Sequence, residues 1–151
     1  MMANKTEVRN YSTTISAAKT VGEIQALLAA NGASRIMTEY DAGADPTAVS
    51  FILTIGNLEH AFRLPIDPAS TLERLKKDPR VNWKRKTSEH AAKVSWRNVK
   101  MWVEAQLEFV KDGQVSLAQV MLPYRLVSEH QTMWDQFAES QLKLGGGNHA
   151  N

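Results

Sequence analysis

The chain contains no cysteine among its 151 residues. Because disulfide bonds, zinc–thiolate centres, iron–sulfur clusters and thiol nucleophiles all need that side chain, the composition excludes all four. No apolar run approaches the roughly 18 residues that a membrane-spanning helix needs. The first ten residues are polar and lack the apolar segment of a secretory leader. We therefore expect a cytoplasmic protein that makes no contact with a membrane.

Linear signatures of catalysis are also missing. The sequence has no G-x-S-x-G nucleophile motif, and no glycine-rich phosphate loop follows a predicted strand. The four histidines, His60, His90, His130 and His149, are isolated from one another and from the carboxylate pairs that a metal site favours. We expect no catalytic residue, metal or cofactor, and interpret the protein as non-enzymatic. An active site assembled from distant residues would leave no linear pattern.

What the chain does contain is typical of one folded domain. Hydrophobic residues make up 43% and charged residues 23%, the balance of a globular protein. The polar ends predict a flexible arm over residues 1–10 and a flexible tail over residues 144–151, which includes a glycine triplet. A single domain is predicted between them, over residues 11–143.

Periodicity in the first half predicts a sheet covered by a helix. Hydroxylated and β-branched residues over Tyr11–Ser16 favour a first strand. Thr20 and Glu23 form a capping-box pattern for a helix over residues 20–31. Three alternating segments follow, the last two joined by a tight hairpin at Gly56-Asn57. The order β-α-β-β-β predicts an α+β fold with a four-stranded, mostly antiparallel sheet.

The second half is predicted to be helical. A short basic helix starts at Asp67-Pro68 and ends at Pro79. One long helix, capped by Thr87 or Ser88, is expected to run to Asp112, and shorter C-terminal helices are predicted after Ser116 and over residues 132–142. In the long helix Trp96 lies on an apolar face that recurs every three or four residues, so we expect it in the core.

Charge is concentrated in one stretch of the chain. From Arg74 to Lys100 there are ten basic residues against Asp78 and Glu89, a local charge of +8 in a chain whose net charge is +2. Helix faces stabilised by ion pairs normally carry both signs. A solvated helix face is the ordinary explanation of a lysine-rich segment, but the scarcity of acids favours an anionic partner.

Three of the four tryptophans lie in or beside this stretch. Trp83 falls outside every periodic pattern and next to three consecutive cations, so it is the tryptophan best placed to stack on a base. Trp102 lies six residues beyond Trp96 and projects about 120° away from the apolar face, so another element or a partner must cover it. The predicted phosphate- and base-binding set is Trp83, Lys84, Arg85, Lys86, Lys93, Arg97 and Lys100.

The segments YSTTIS, KTVGEI, FRLP, SWRNVKMWVEAQ and LPY together resemble a family of small, largely uncharacterised proteins of bacteriophages, prophages and other bacterial mobile elements. The resemblance covers about residues 11–137. It implies a setting, the cytoplasm of a bacterial host, and no particular mechanism.

Two functions are compatible with that setting. The first is an accessory protein that binds nucleic acid through the basic and aromatic residues. The alternative is a homo-oligomeric anti-defence protein that sequesters a nucleotide immune signal of the cyclic-nucleotide or ADP-ribose type. Its nucleotide pocket would lie between subunits and use Arg63, Arg97, Lys100, Trp102 and Gln106.

Overall fold

The computed structural model describes residues 7–148 of the chain, with side chains through residue 145. The fold is α+β. Its helices and strands are α1 (Ala17–Ala30), β1 (Arg35–Tyr40), β2 (Pro46–Ile55), β3 (Leu58–Arg63), α2 (Pro68–Lys77), α3 (Ser88–Lys111), α4 (Leu117–Met121) and α5 (Met133–Asn148). Short 3₁₀ turns occupy Trp83–Arg85 and Leu122–Tyr124. No helix in this part of the chain is long and apolar enough to cross a membrane.

The sheet has three antiparallel strands in the order β1-β2-β3, so the prediction of four strands is wrong. Residues 11–16 form turns and irregular backbone. Several of their backbone groups find hydrogen-bond partners without a strand ladder. For example, His90 Nε2 lies 2.6 Å from the Tyr11 carbonyl oxygen and donates to it. A strand needs a neighbouring strand for its backbone groups, and this segment pairs with none of the strands of the described sheet.

Helix α1 begins three residues before the predicted Thr20. The Ser16 hydroxyl caps it by accepting a hydrogen bond from the Lys19 amide at 3.1 Å. Thr20 is fully buried inside the helix and does not cap it. Either hydroxylated residue suits an N-cap, and the position of Ser16 at the end of the extended segment decides between them.

The described part of the chain contains five α-helices, and a single long helix is not borne out, because α5, predicted over residues 132–142, itself extends to 16 residues. The longest is α3, with 24 residues, and Thr87 caps it by accepting from the His90 amide. Helix α5 continues to Asn148, so it includes residues 144–148 of the expected tail. The last three residues lie outside the described part.

The N-terminal residues are partly packed. Val8, inside the expected flexible arm, is buried in a small cluster with Leu75, Val81 and Val94. Its amide donates to Asp78 at 2.9 Å. Residues 1–6, to which the same expectation applied, lie outside the described part of the chain.

The main core lies between one face of the sheet and helices α1 and α3. Phe51 and Phe62, paired across β2 and β3, stack with ring centroids 5.5 Å apart. Trp96 is fully buried, as predicted, and its indole N–H donates to the Pro46 carbonyl at 3.2 Å. The predicted hairpin joins β2 to β3, and Gly56 has the positive φ of 63° that such a turn requires.

Candidate nucleic-acid interface

Trp83 lies in the 3₁₀ turn between α2 and α3, and 76% of it is exposed to solvent. The Asn82 side chain caps this turn by accepting from the Lys84 amide at 3.0 Å. Val81, two residues earlier, is buried and anchors the segment. The turn therefore holds a large aromatic ring in solvent beside Lys84, whose Nζ lies 5.8 Å from the ring centroid.

The C-terminal turn of α2 is bonded to the same connector. Lys86 Nζ donates to the Lys76 carbonyl at 3.1 Å, so the connector folds back onto the end of α2. This contact adds Lys76 and Lys77, both exposed, to the predicted cations. We define the basic surface by six residues: Lys76, Lys77, Trp83, Lys84, Arg85 and Lys86.

Sequence reasoning did not assign Lys76 and Lys77 to the site, although it counted their charges. Pro79 was interpreted as separating the short helix from the connector. The available signal was the excess of positive charge on both sides of that proline.

Few carboxylates oppose this surface. Lys76 has a partner in Glu73, at 3.3 Å. Within residues 7–148, no carboxylate lies within ion-pair distance of four of its cations: Lys77, Lys84, Arg85 and Lys86. Positive side chains at the end of α2 also complement the negative end of its dipole. The four cations without a carboxylate partner in this part of the chain concentrate positive potential around Trp83.

Asp78, the acid that follows Lys77 in the sequence, is fully buried and bonded within the fold. Its buried carboxylate accepts from Arg80 Nη2 at 2.8 Å and from the Val8 amide at 2.9 Å. These hydrogen bonds, that from the Arg80 side chain foremost, hold the pKa of Asp78 well below its usual range despite burial. The Arg80 guanidinium also lies 4.3 Å from the centroid of the Tyr11 ring, a cation–π contact. This pair therefore supports the connector and presents no free charge.

Two other predicted cations lie between α3 and α1. Arg97 Nη1 is 2.9 Å and Lys100 Nζ is 2.6 Å from the same oxygen, Glu23 Oε2. Lys100 also lies 3.4 Å from Glu104. The hydrogen bonds from Lys100 and Arg97 lower the pKa of Glu23, and the bond to Glu23 raises the pKa of Lys100. Both cations are half-buried and matched by carboxylates, so they add little charge to the basic surface.

Lys93 occupies an intermediate position. It is half-buried on α3, and no carboxylate of residues 7–148 pairs with it. No hydrogen bond or ion pair between the described residues connects it to the Trp83 turn. Of the seven residues predicted for nucleic-acid binding, four therefore lie together: Trp83, Lys84, Arg85 and Lys86.

The five residues of the alternative nucleotide pocket are distributed over separate parts of the chain. Arg63 Nη1 lies 3.3 Å from Glu39 on the sheet. Trp102 lines a depression with Pro65 and Asn98, whereas Lys100 lines a different depression between α3 and α1. Gln106 is half-buried on α3 and lines neither depression. Neither depression contains the set, and Arg63 lines neither of them.

Trp102 is covered by another element of its own chain. It packs edge-on against Tyr124, with ring centroids 5.5 Å apart and an interplanar angle of 78°. Both rings lie against the main core. Trp102 therefore does not need a second subunit to shield it.

Among residues 7–148, no group of three His, Asp or Glu side chains lies close enough together to hold a metal ion. No protein-family model, curated protein or solved structure matches the chain. The function must therefore be inferred from the local geometry of the basic surface.

Proposed function

We propose that this protein is a non-enzymatic accessory protein of a bacteriophage or related mobile element, and that it binds single-stranded nucleic acid through the basic surface. The observation that carries the proposal is the exposed Trp83 ring, placed within a group of cations of which four have no carboxylate of residues 7–148 within ion-pair distance. Exposing a tryptophan to water is unfavourable, and a base that stacks on it removes that cost.

The two kinds of side chain have separate roles. Lysine and arginine bind phosphates with little regard to sequence, and an aromatic ring stacks on any base. An aromatic ring that stacks on a base face needs that base to be unstacked, as it is in a single strand or a loop. This combination favours single-stranded DNA or RNA over a regular duplex.

The surface is held in place before any ligand arrives. Asn82 caps the Trp83 turn, and Lys86 bonds to the end of α2. The Asp78–Arg80 ion pair fixes the segment that joins α2 to this turn. Binding then costs less conformational entropy than it would for a mobile loop. Nucleic acid is favoured over a small nucleotide because Arg97 and Lys100, the cations of the predicted nucleotide pocket on α3, are already paired with Glu23.

Fluorescence anisotropy with labelled single-stranded DNA and RNA tests the proposal across a series of salt concentrations. Each phosphate neutralised on a single strand contributes about −0.7 to the log–log salt slope, so the five cations allow a slope of up to about −3.5. The double variant Lys77→Gln/Lys84→Gln should reduce the magnitude of the slope by about 1.4 for the same reason.

The matched control is Lys111→Gln/Lys143→Gln, which removes the same charge from exposed positions elsewhere. It should bind like the unchanged protein. Equal loss of affinity in both double variants would show that net charge, and not this surface, governs binding. Absence of binding to either nucleic acid at low salt would refute the proposal.

A further inference from the structure

Residues 7–11, which we call the N-terminal strap, bond to the connector between α2 and α3, residues 78–87. The Val8 amide donates to Asp78 Oδ2 at 2.9 Å, and Arg80 Nη2 donates to the Val8 carbonyl at 3.2 Å. Both backbone groups of Val8 are thus satisfied by the first residues of the connector. These partners stand 70 and 72 positions away along the chain, so the attachment depends on the tertiary fold.

The side chain of Val8 anchors the strap in the smaller hydrophobic cluster. It is 1% exposed and is grouped there with Leu75 of α2, Val81 of the connector and Val94 of α3. Val81 is the connector residue that enters this cluster, and it stands two residues before Trp83. The strap therefore belongs to the same packed unit as the residue that anchors the Trp83 turn.

Contacts with both flanking helices hold the two ends of the strap. At one end, Arg74 Nη2 of α2 donates to the Glu7 carbonyl at 2.6 Å. At the other end, His90 Nε2 of α3 donates to the Tyr11 carbonyl at 2.6 Å, and the Tyr11 ring lies under the Arg80 guanidinium. The strap is therefore attached to α2, to α3 and to the connector between them.

The Trp83 turn has few attachments of its own. Its three residues form a 3₁₀ turn in which no side chain is buried. The Asn82 cap is local, and the bond from Lys86 to the Lys76 carbonyl comes from a long, flexible side chain. Segments with few buried contacts open locally at little cost. The geometry of the turn is therefore set by its anchored flanks, Val81 before it and the start of α3 after it.

We propose that the N-terminal strap positions the basic surface for nucleic acid, so that loosening the strap weakens binding although all six residues of the surface remain. This inference rests on the function proposed above and adds to it a point of control outside the surface. With the strap in place, the connector is ordered before the ligand arrives. Without it, the same side chains must be ordered during binding, which lowers affinity.

A strap that blocked the surface would act in the opposite direction. Its release would free the Arg74 guanidinium from the Glu7 carbonyl and steepen the log–log salt slope by about 0.7, since one more cation would reach a phosphate. The geometry favours positioning, because Val8 is buried among the residues that support the connector.

The substitution Val8→Ala loosens the strap without changing the charge of the protein. Fluorescence anisotropy should show single-strand binding weakened by about three- to tenfold, the cost of ordering one more rotamer-rich side chain on binding. The salt slope should not change, because the five cations of the basic surface remain. Stronger binding with a steeper slope would indicate a blocking strap and would overturn the proposal.

The matched control is Val103→Ala, which makes the same truncation at a fully buried position of the main core. Both substitutions leave a void and lower the free energy of unfolding. Val103→Ala should leave the affinity unchanged, because no connector residue belongs to the main core. Equal weakening by the two variants would show that overall stability, and not the strap, governs binding.

Trypsin provides a readout that a purely structural role of Val8 would not move. The connector contains three consecutive cleavage sites, Lys84, Arg85 and Lys86. In folded Val8→Ala, cleavage at these sites should become several-fold faster than in the unchanged protein, and in folded Val103→Ala it should not. Mass spectrometry of the fragments identifies the sites. Connector cleavage at the same rate in all three proteins would contradict the proposal.

A second pair of variants tests the strap at Tyr11. Tyr11→Ala removes the ring that lies under the Arg80 guanidinium and should weaken binding in the same direction as Val8→Ala. Tyr11→Phe keeps the ring and should bind like the unchanged protein. Loss of affinity in both Tyr11 variants would exclude the cation–π contact as part of the attachment.

Failure of this inference is distinguishable from failure of the proposed function. If the unchanged protein binds neither single-stranded DNA nor single-stranded RNA at low salt, the proposed function is refuted, and the inference that rests on it falls as well. If the unchanged protein binds and Val8→Ala binds equally well, only the positioning role of the strap is refuted.

Discussion

Lys100 Nζ lies 2.6 Å from Glu23 Oε2, an ion pair that joins α3 to α1 across 77 positions of the chain. Arg97 shares the same carboxylate oxygen. Arg97 and Lys100, both predicted to bind phosphate, therefore hold α1 and α3 together. They also divide the ten cations of the basic stretch into structural and accessible groups.

That division leads to a first prediction, on Lys100→Met. The substitution removes a charge from the α1–α3 contact, so the midpoint of urea denaturation should fall slightly. Affinity for single-stranded nucleic acid should stay within about twofold, because no phosphate contact is lost. Anisotropy and denaturation measured on the same preparation check both parts. A clear reduction in the salt slope would show that Lys100 contacts phosphate after all.

The second prediction compares two exposed tryptophans. Trp83→Ala should weaken single-strand binding by about 1–3 kcal/mol if a base stacks on the ring. The substitution should change the free energy of unfolding by less than about 0.5 kcal/mol, since the side chain is exposed. Trp134→Ala removes an exposed tryptophan from a different surface and should leave binding unchanged. Equal effects on affinity from the two substitutions would contradict the role assigned to Trp83.

A third prediction concerns pH and Asp78. Its pKa is lower in the folded protein than its ordinary value of 3.8, chiefly because of the hydrogen bonds from Arg80. The carboxylate therefore stabilises the fold above that ordinary value, and the contribution is lost as pH falls through and below it. Asp78→Asn should cost about 2 kcal/mol near neutral pH, the value of hydrogen bonds to a charged group.

The measurement is the urea midpoint of both proteins from about pH 7 to about pH 2.5. Below the ordinary pKa of 3.8 the unfolded chain takes up a proton that the folded Asp78 still excludes, because its pKa is lowered. The two curves should converge towards the acidic end. A constant gap between them at every pH would mean that the substitution acts through packing and not through charge.

The fourth prediction separates the two tryptophans of α3. Trp96→Phe removes the hydrogen bond to the Pro46 carbonyl and leaves a void in the core, so it should cost about 1–3 kcal/mol in unfolding free energy. Trp102→Phe keeps an aromatic contact with Tyr124 at a half-buried position and should cost less than about 1 kcal/mol. Chemical denaturation of the two variants measures the difference. The assignment of Trp96 to the core is wrong if the order is reversed.

Local features of the chain were predictable because their causes are local. The recurrence of apolar residues around Trp96 follows from helix geometry, and it correctly placed this side chain in the core. Thr87 caps α3, and Ser116 with Gln119 forms a capping box, because the groups that bond there are three residues apart. The exposure of Trp83 followed in the same way from its place outside every periodic pattern.

Features that depend on distant partners were decided only by the tertiary structure. The segment Tyr11–Ser16 has the composition of a strand, but a strand forms only beside another strand, and this one is held near His90 instead. Proximity of Lys86 to Lys76 depends on how the chain turns at Pro79. Whether Lys100 is free or paired depends on Glu23, which sequence periodicity cannot bring next to it. Charge can be counted along a chain, but its availability to a ligand depends on which opposite charges the fold places within a few ångströms.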